Sequence, residues 1–163
     1  RPGRPEEADA LLAIVRRTVA AMQAAGLDQW DEHYPGREEV EDDLARGALL
    51  VLEQHGAPAA LLTLDTWQPP EHEGQPWRCT EGVCNIHRVM VDPALQSQGL
   101  GARLMQAALQ RAKEAGYAAV HMDTLQDNAG ARRFYARLGF EERGTTISAY
   151  MGGKAYTLLE KCL

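Results

Sequence analysis

Apolar residues first recur at helical spacing. Leu11, Ile14, Val15, Val19 and Met22 share one helix face, Glu6, Glu7 and Asp9 put acids in its first turn, where the dipole favours them, and Gly26 stops it. Val40 and Leu44 mark a short acidic helix over residues 38–46, capped by Gly47. The period then changes. Residues 48–53 and 57–65 are almost continuously apolar and predict a β-hairpin around His55-Gly56, buried on both faces. Residues 67–82 break the pattern with Pro69, Pro70, Gly74, Pro76 and Gly82 among polar residues, which predicts a long loop. Ile86 to Val91 reads as a buried strand, stopped at Asp92-Pro93 because proline gives the ladder no donor. Alternation there puts Asn85, His87, Val89 and Val91 on one side and Ile86, Arg88 and Met90 on the other. Helical spacing returns at Leu100, Leu104, Ala108 and Ala112, flanked by Met105 and Leu109, and ends at Gly116. Residues 118–124 predict the next strand, so strand, helix and strand make a right-handed parallel crossover. Ala131, Phe134, Tyr135 and Leu138 share a face of a last helix ended by Gly139. Two antiparallel strands, 141–146 and 155–162, close the chain around a loop from Tyr150 to Lys154.

The connection Gln96-Ser97-Gln98-Gly99-Leu100-Gly101 carries the first chemical signal. A glycine-bearing loop that opens a helix leaves several backbone N–H groups unpaired, and the dipole adds partial positive charge there. Such a loop cradles an anion, phosphate above all, although a strand-to-helix turn with glycines for close packing has the same look. Two other phosphate motifs fail. Counted from Gly99, the third glycine of a dinucleotide fingerprint would stand at Leu104, and no Lys-Ser/Thr follows for a Walker loop. Five histidines and three cysteines show no metal-ligand spacing, so no metal is expected.

The stretch Gln96-x-x-Gly99-x-Gly101 after a strand ending Val89-x-Val91-x-Pro93 resembles the acyl-CoA pyrophosphate loop of the GNAT superfamily of N-acetyltransferases. A second stretch, Asn128, then Phe134-Tyr135, then Leu138-Gly139-Phe140, resembles the final helix and turn of the same family. The resemblance implies an α+β fold with α/β/α layers. Its sheet is mixed and mostly antiparallel, with a splayed parallel strand pair, flanked by four or so helices. It covers residues 6–163 as one domain, with the family's first strand truncated or missing at Arg1–Pro5.

The same resemblance assigns roles. Acetyl-CoA is the cosubstrate. Its diphosphate is held around Gln98, Gly99, Leu100, Gly101 and Ala102, with Gln96, Ser97 and Arg103 nearby. Its pantetheine arm runs along the backbone of Val89, Met90 and Val91 and meets Asn128. Tyr135 is the general acid for the departing thiolate, since a phenol of pKa about 10 suits a thiolate of about 8.5. The plainer reading of the residue is core, as for Phe134 beside it. The base is open. Some members carry a strand glutamate where Asn85 stands, and Asn85 cannot take a proton, which leaves Glu81, His87, Glu73 or a water. Trp30, Asp31, Glu32 and Tyr34 on one lip, and Trp67, His72, Glu73 and Trp77 on the other, are acceptor-contact candidates; lid packing and a surface loop are the plainer readings. The activity implied is acetyl transfer to a primary amine by direct attack in a ternary complex. A non-catalytic acyl-CoA sensor of the same fold and a protein-interaction module are the alternatives.

Composition narrows the partners. The net charge of −6 at pH 7 argues against general nucleic-acid binding, which needs Lys and Arg to neutralise phosphates. There is no apolar run of membrane-spanning length and no signal-peptide pattern at the first residues, so no membrane partner is expected. An odd cysteine count without CxxC spacing argues against a disulfide framework and for a reducing cytoplasm. A homodimer stays open, as does the acceptor amine.

Overall fold

The computed structural model describes residues 1–149 and 151–163. Tyr150, the first residue of the loop expected between the closing strands, lies outside the described residues. Four α-helices and six strands follow in the order α1 (Ala8–Ala24), α2 (Arg37–Ala45), β1 (Leu49–Gln54), β2 (Ala57–Asp65), β3 (Val83–Val91), α3 (Leu100–Glu114), β4 (Ala119–Leu125), α4 (Ala129–Arg137), β5 (Glu141–Ser148) and β6 (Lys154–Cys162). The strands form one mixed sheet in the order β1-β2-β3-β4-β6-β5, with β3 and β4 its parallel pair. This is the α+β architecture expected from the sequence. Among the described residues no helix is long and apolar enough to cross a membrane.

The chain divides into two compact units, residues 1–64 with 87–108 and residues 65–86 with 109–163. In the first, β1 and β2 form the hairpin. His55 and Gly56 both take positive φ, 52° and 79°, as a two-residue turn that follows strand twist requires. Five consecutive residues of β2, Ala59 to Thr63, are buried, so both faces are covered. Pro2 makes an isolated antiparallel bridge to Leu50, and Gly3 N–H donates to Leu49 O at 2.8 Å. Residues 1–3 therefore pair with the sheet, at the place where the family's first strand is expected to be truncated or missing.

In the second unit β4 pairs with β6 over seven positions, and β6 pairs with β5. The parallel ladder is short, with three pairs, Val83↔Ala119, Cys84↔Val120 and Asn85↔His121. α3, whose residues up to Ala108 belong to the first unit and the rest to the second, buries the row the spacing predicts: Leu100, Leu104, Met105, Ala108, Leu109 and Ala112. Its exposed residues include Arg103, Gln106, Gln110, Arg111 and Lys113. A helix so divided lies on a core with its polar face in water.

Two sequence expectations shift. β3 begins at Val83 rather than Ile86, and its strict alternation fails. Cys84, Asn85 and Ile86 are all buried, and Arg88 has φ of 52°, a left-handed backbone inside the strand. Residues 67–82 are also less plain a loop than expected, since Pro70–His72 forms a 3₁₀ turn with His72 only 1% exposed.

Candidate active site

In the first unit the strand-to-helix connection is fixed at its start. Asp92 N–H donates to Ala59 O at 2.9 Å, and the Asp92 carboxylate accepts from Ala94 N–H at 3.1 Å and from Arg17 at 2.6 Å. The Arg17 guanidinium holds the Asp92 carboxyl below the usual carboxylate range. Ser97 and Gly99 then take left-handed φ of 66° and 74°, and residues 96–99 are exposed. The first closed helical turn is Arg103 N–H to Gly99 O at 3.1 Å. The amides of Leu100, Gly101 and Ala102 precede it and have no intrahelical acceptor. Such alternating hand before a helix aims successive N–H groups into one concavity, the geometry of an anion nest. Gln54 Nε2 donates to Gln98 Oε1 at 2.9 Å and ties the loop to the end of β1.

The same unit places the residues expected at the acceptor lip. Trp30 is buried, so its ring packs inward. Asp31 and Glu32 are exposed, and Asp31 Oδ1 accepts from His33 and Tyr34 N–H. The Tyr34 hydroxyl accepts from Arg88 Nη1 at 3.1 Å. Arg88 Nη2 in turn donates to the buried Asp43 at 2.6 Å, and the Thr63 hydroxyl donates to Asp43 at 2.5 Å. Burial works against the Arg88 charge, but Tyr34 and Asp43 more than offset it. Sequence reading missed this network. Its members are a lid tyrosine, a helix aspartate, a strand threonine and an arginine on a kinked strand. His87, Val89 and Val91 are half-buried, and Met90 is buried.

In the second unit Asn128 caps α4, its Oδ1 accepting from Ala131 N–H at 3.0 Å. One helical turn and more beyond it, Tyr135 is 7% exposed and lies edge-on to Phe134 and Phe140, with centroids at 5.2 and 6.0 Å. Burial, then the charge of Asp123, pushes its phenol pKa well up, so the hydroxyl keeps its proton at any working pH. Asp123, on β4, accepts from the buried His72 Nε2 at 2.8 Å, and its own side chain is 28% exposed. Among the described residues His72 Nδ1 is buried without a partner, so Nε2 is the ring nitrogen that bonds Asp123. Behind this pair Trp77 stacks on His121 at 3.8 Å and donates through its indole to His72 O at 2.9 Å. His121 Nε2 meets Glu160 Oε1 at 3.0 Å. Glu81 and Glu73 are exposed, and Trp67 is 56% exposed. His72 and Trp77, expected at a lip, are thus packed into the unit as supports. Sequence reading missed Asp123, although His121 and Asp123 stand two apart on a largely apolar strand, where two ionisable residues on one face are unusual.

The model of the acetyltransferase (GNAT) family matches residues 16–140, a span containing the glycine loop, Asp123 and Tyr135. This chain belongs to the GNAT acetyltransferase family. It is 26% identical over 149 residues to YesJ of Bacillus subtilis, an uncharacterized N-acetyltransferase, covering 89% of this chain and 82% of that one. It is 41% identical over 61 residues to an uncharacterized N-acetyltransferase of Methanocaldococcus jannaschii, a match that spans 37% of this chain but only 27% of that relative's length. Among solved structures, a GNAT acetyltransferase of Streptococcus agalactiae superposes with a TM-score of 0.88 at 19% identity, covering 100% of this chain and 94% of that one. The PaiA N-acetyltransferase of Thermoplasma acidophilum, solved with coenzyme A, gives 0.73 at 15% identity, covering 100% and 97%. At these identities both show the GNAT fold alone. Among the described residues no group of three or more His, Cys, Asp or Glu gathers as metal ligands would.

Proposed function

We propose that this chain acts as one acyltransferase domain that moves an acetyl group from acetyl-CoA to a primary amine, by direct attack in a ternary complex. The observation that carries it is the nest before α3, left-handed at Ser97 and Gly99. The nest offers an anchor for a diphosphate, and Tyr135, taken by itself, is a candidate acid for a thiolate. The amides from Gln98 to Ala102 take the diphosphate. The Val89 N–H polarises the acyl carbonyl, and the Asn128 amide group donates to the pantetheine arm. Tyr135 protonates the sulfur as it leaves.

For the proton of the attacking amine, the geometry favours Asp123 over Glu81, Glu73 and His87. Asp123 is partly exposed, held by a buried histidine and close enough to Tyr135 for its charge to act on the phenol. A carboxylate whose charge reaches a phenol that keeps its proton can serve as the base to that phenol's acid. Asp123→Asn is expected to lower kcat about 10²-fold. His72→Gln is expected to lower it less, because it loosens the carboxylate without removing it. Steady-state thiol release checks both, and full activity in Asp123→Asn would leave water or another group as the base.

The reading is tested by calorimetry with coenzyme A and by thiol release from acetyl-CoA with a panel of primary amines. Uptake together with turnover is expected. Uptake without turnover would leave the sensor, and no uptake would end both. Gly99→Val is expected to weaken coenzyme A binding about tenfold, because a β-branched residue at φ of 74° costs roughly 1–2 kcal/mol in the bound loop. A Cβ there meets no atom within 4 Å, so the loss is conformational rather than a clash.

A further inference from the structure

Cys79 and Cys162 stand outside every role given above, yet their Sγ atoms lie 3.3 Å apart, from positions 83 residues apart in the chain. Two fixed elements bring them together. Cys79 N–H donates to Glu160 Oε1 at 2.8 Å, which seats the end of the 72–79 segment on β6. Cys162 is held by the β4–β6 ladder opposite Ala119. Cys162 is exposed and Cys79 partly so, so a small reagent reaches them. The third cysteine differs. Cys84 is buried, and burial pushes its thiol up to about 12, so it stays protonated and out of reach.

We propose that Cys79 and Cys162 form a reversible redox site, in which a low-molecular-weight disulfide oxidises the two thiols to an intrachain disulfide that staples residues 72–79 to the end of β6. The exposed Cys162, as thiolate, attacks one sulfur of the reagent disulfide. The S–S bond of the reagent breaks, one reagent thiolate leaves, and Cys162 carries a mixed disulfide. The Cys79 thiolate then attacks the Cys162 sulfur and expels the second reagent thiolate. The two protons released by the cysteines go to the two thiols formed, and two electrons pass from protein to reagent. The gap of 3.3 Å needs only a small side-chain rotation to reach a bonded distance of about 2 Å. In a reducing compartment such a pair rests as thiols and closes under oxidative load, the usual behaviour of redox-sensing cysteines there.

The staple falls on a segment with consequences. Residues 72–79 carry His72, which holds Asp123; Trp77, which stacks on His121; and the Arg78 and Cys79 amides, which donate to Glu160. Closing the bond restricts the unfolded chain and holds this segment in its folded place. The inference does not depend on acyl transfer, since it is read from thiols and melting rather than turnover.

The test equilibrates the chain with oxidised glutathione, then reads intact mass, thiols after denaturation and Tm. Expected are a mass loss of about 2 Da, a fall in titratable thiols from three to one, and a Tm higher by about 5 °C or more, all reversed by dithiothreitol. Cys162→Ser and Cys79→Ser should each keep the reduced protein's Tm and show neither the mass loss nor the rise. Glutathione adducts on both cysteines without the mass loss, crosslinks between chains, or an oxidised form that melts no higher would each overturn the proposal.

Discussion

Replacing Tyr135 by Phe is expected to lower kcat about 10³-fold while leaving coenzyme A affinity within about twofold. The substitution removes one oxygen and keeps the ring, so the edge-on contacts with Phe134 and Phe140 survive. On the proposed mechanism, what is lost is the proton donor. An expelled thiolate has a pKa near 8.5, and without an acid it must leave as an anion into a site that burial makes poorly solvating. In the proposed role the phenol would meet this need because its proton is secure: burial first, and the Asp123 charge second, hold its pKa well above the ordinary tyrosine value. The sign matters for the pH profile. A pKa raised in the folded enzyme keeps the acid loaded as pH rises, so kcat of the native enzyme should show no loss up to about pH 9. In Tyr135→Phe the remaining rate should depend on the leaving thiol, falling further with acyl donors whose thiols are less acidic. Steady-state rates with acetyl-CoA, paired with calorimetry, separate this from a folding defect. A Phe variant within about threefold of native kcat would make Tyr135 a core residue and nothing more.

Most of the fold was legible because periodicity reports burial. The α3 row from Leu100 to Ala112 is buried as its spacing predicts, and the hairpin turns at His55-Gly56 where the apolar run breaks. The glycine loop was legible for a different reason: backbone chemistry needs particular residues at particular places, and Gly99 takes the positive φ that its type allows. What could not be read were contacts between polar residues far apart in the chain. Nothing local to Arg88 announces that it turns left-handed inside β3 and reaches Asp43 on α2 and Tyr34 beyond α1. That one dihedral also undid the alternation used to weigh His87 as a base. His72 sat in a stretch that looked like a surface excursion, because proline and glycine content gives no sign of what a loop buries. Its partner Asp123 was visible only as a polar residue on a largely apolar strand. Cys79 and Cys162 show no motif spacing, and only the β4–β6 register and the Glu160 carboxylate put them side by side.

Glu160→Gln is expected to destabilise the chain by about 3–5 kcal/mol and lower Tm by roughly 6–15 °C at pH 7. The Glu160 side chain is fully buried and surrounded by donors. Oε1 accepts from the Cys79 amide at 2.8 Å and from His121 at 3.0 Å; Oε2 accepts from the Arg78 amide at 3.1 Å and from Arg143 Nε at 2.5 Å. Glutamine has nearly the same shape but turns one acceptor into a donor. One pair of N–H groups then faces another, and Arg143 loses a charge partner. Burial alone would raise the Glu160 pKa, but the Cys79 amide, His121, Arg143 and the Arg78 amide together bring it below the usual range. A depressed carboxylate stabilises the fold above its unfolded pKa of about 4.3, and that contribution is lost as pH falls through the folded value. His121 acts in the same direction, since burial lowers its pKa and the unfolded chain takes up protons first, below about pH 6.5. Native Tm should therefore fall in two stages on acidification. In Glu160→Gln the stage below pH 4.3 should become shallower, because this carboxylate is no longer there to protonate. The stage near pH 6 should steepen, because His121 has lost the anion that opposed its burial. Melting curves from pH 2 to 8 measure both limbs. A variant that melts within about 2 °C of the native chain at pH 7 would mean that the four donors find water or other acceptors, and that Glu160 does not organise the segment behind His72.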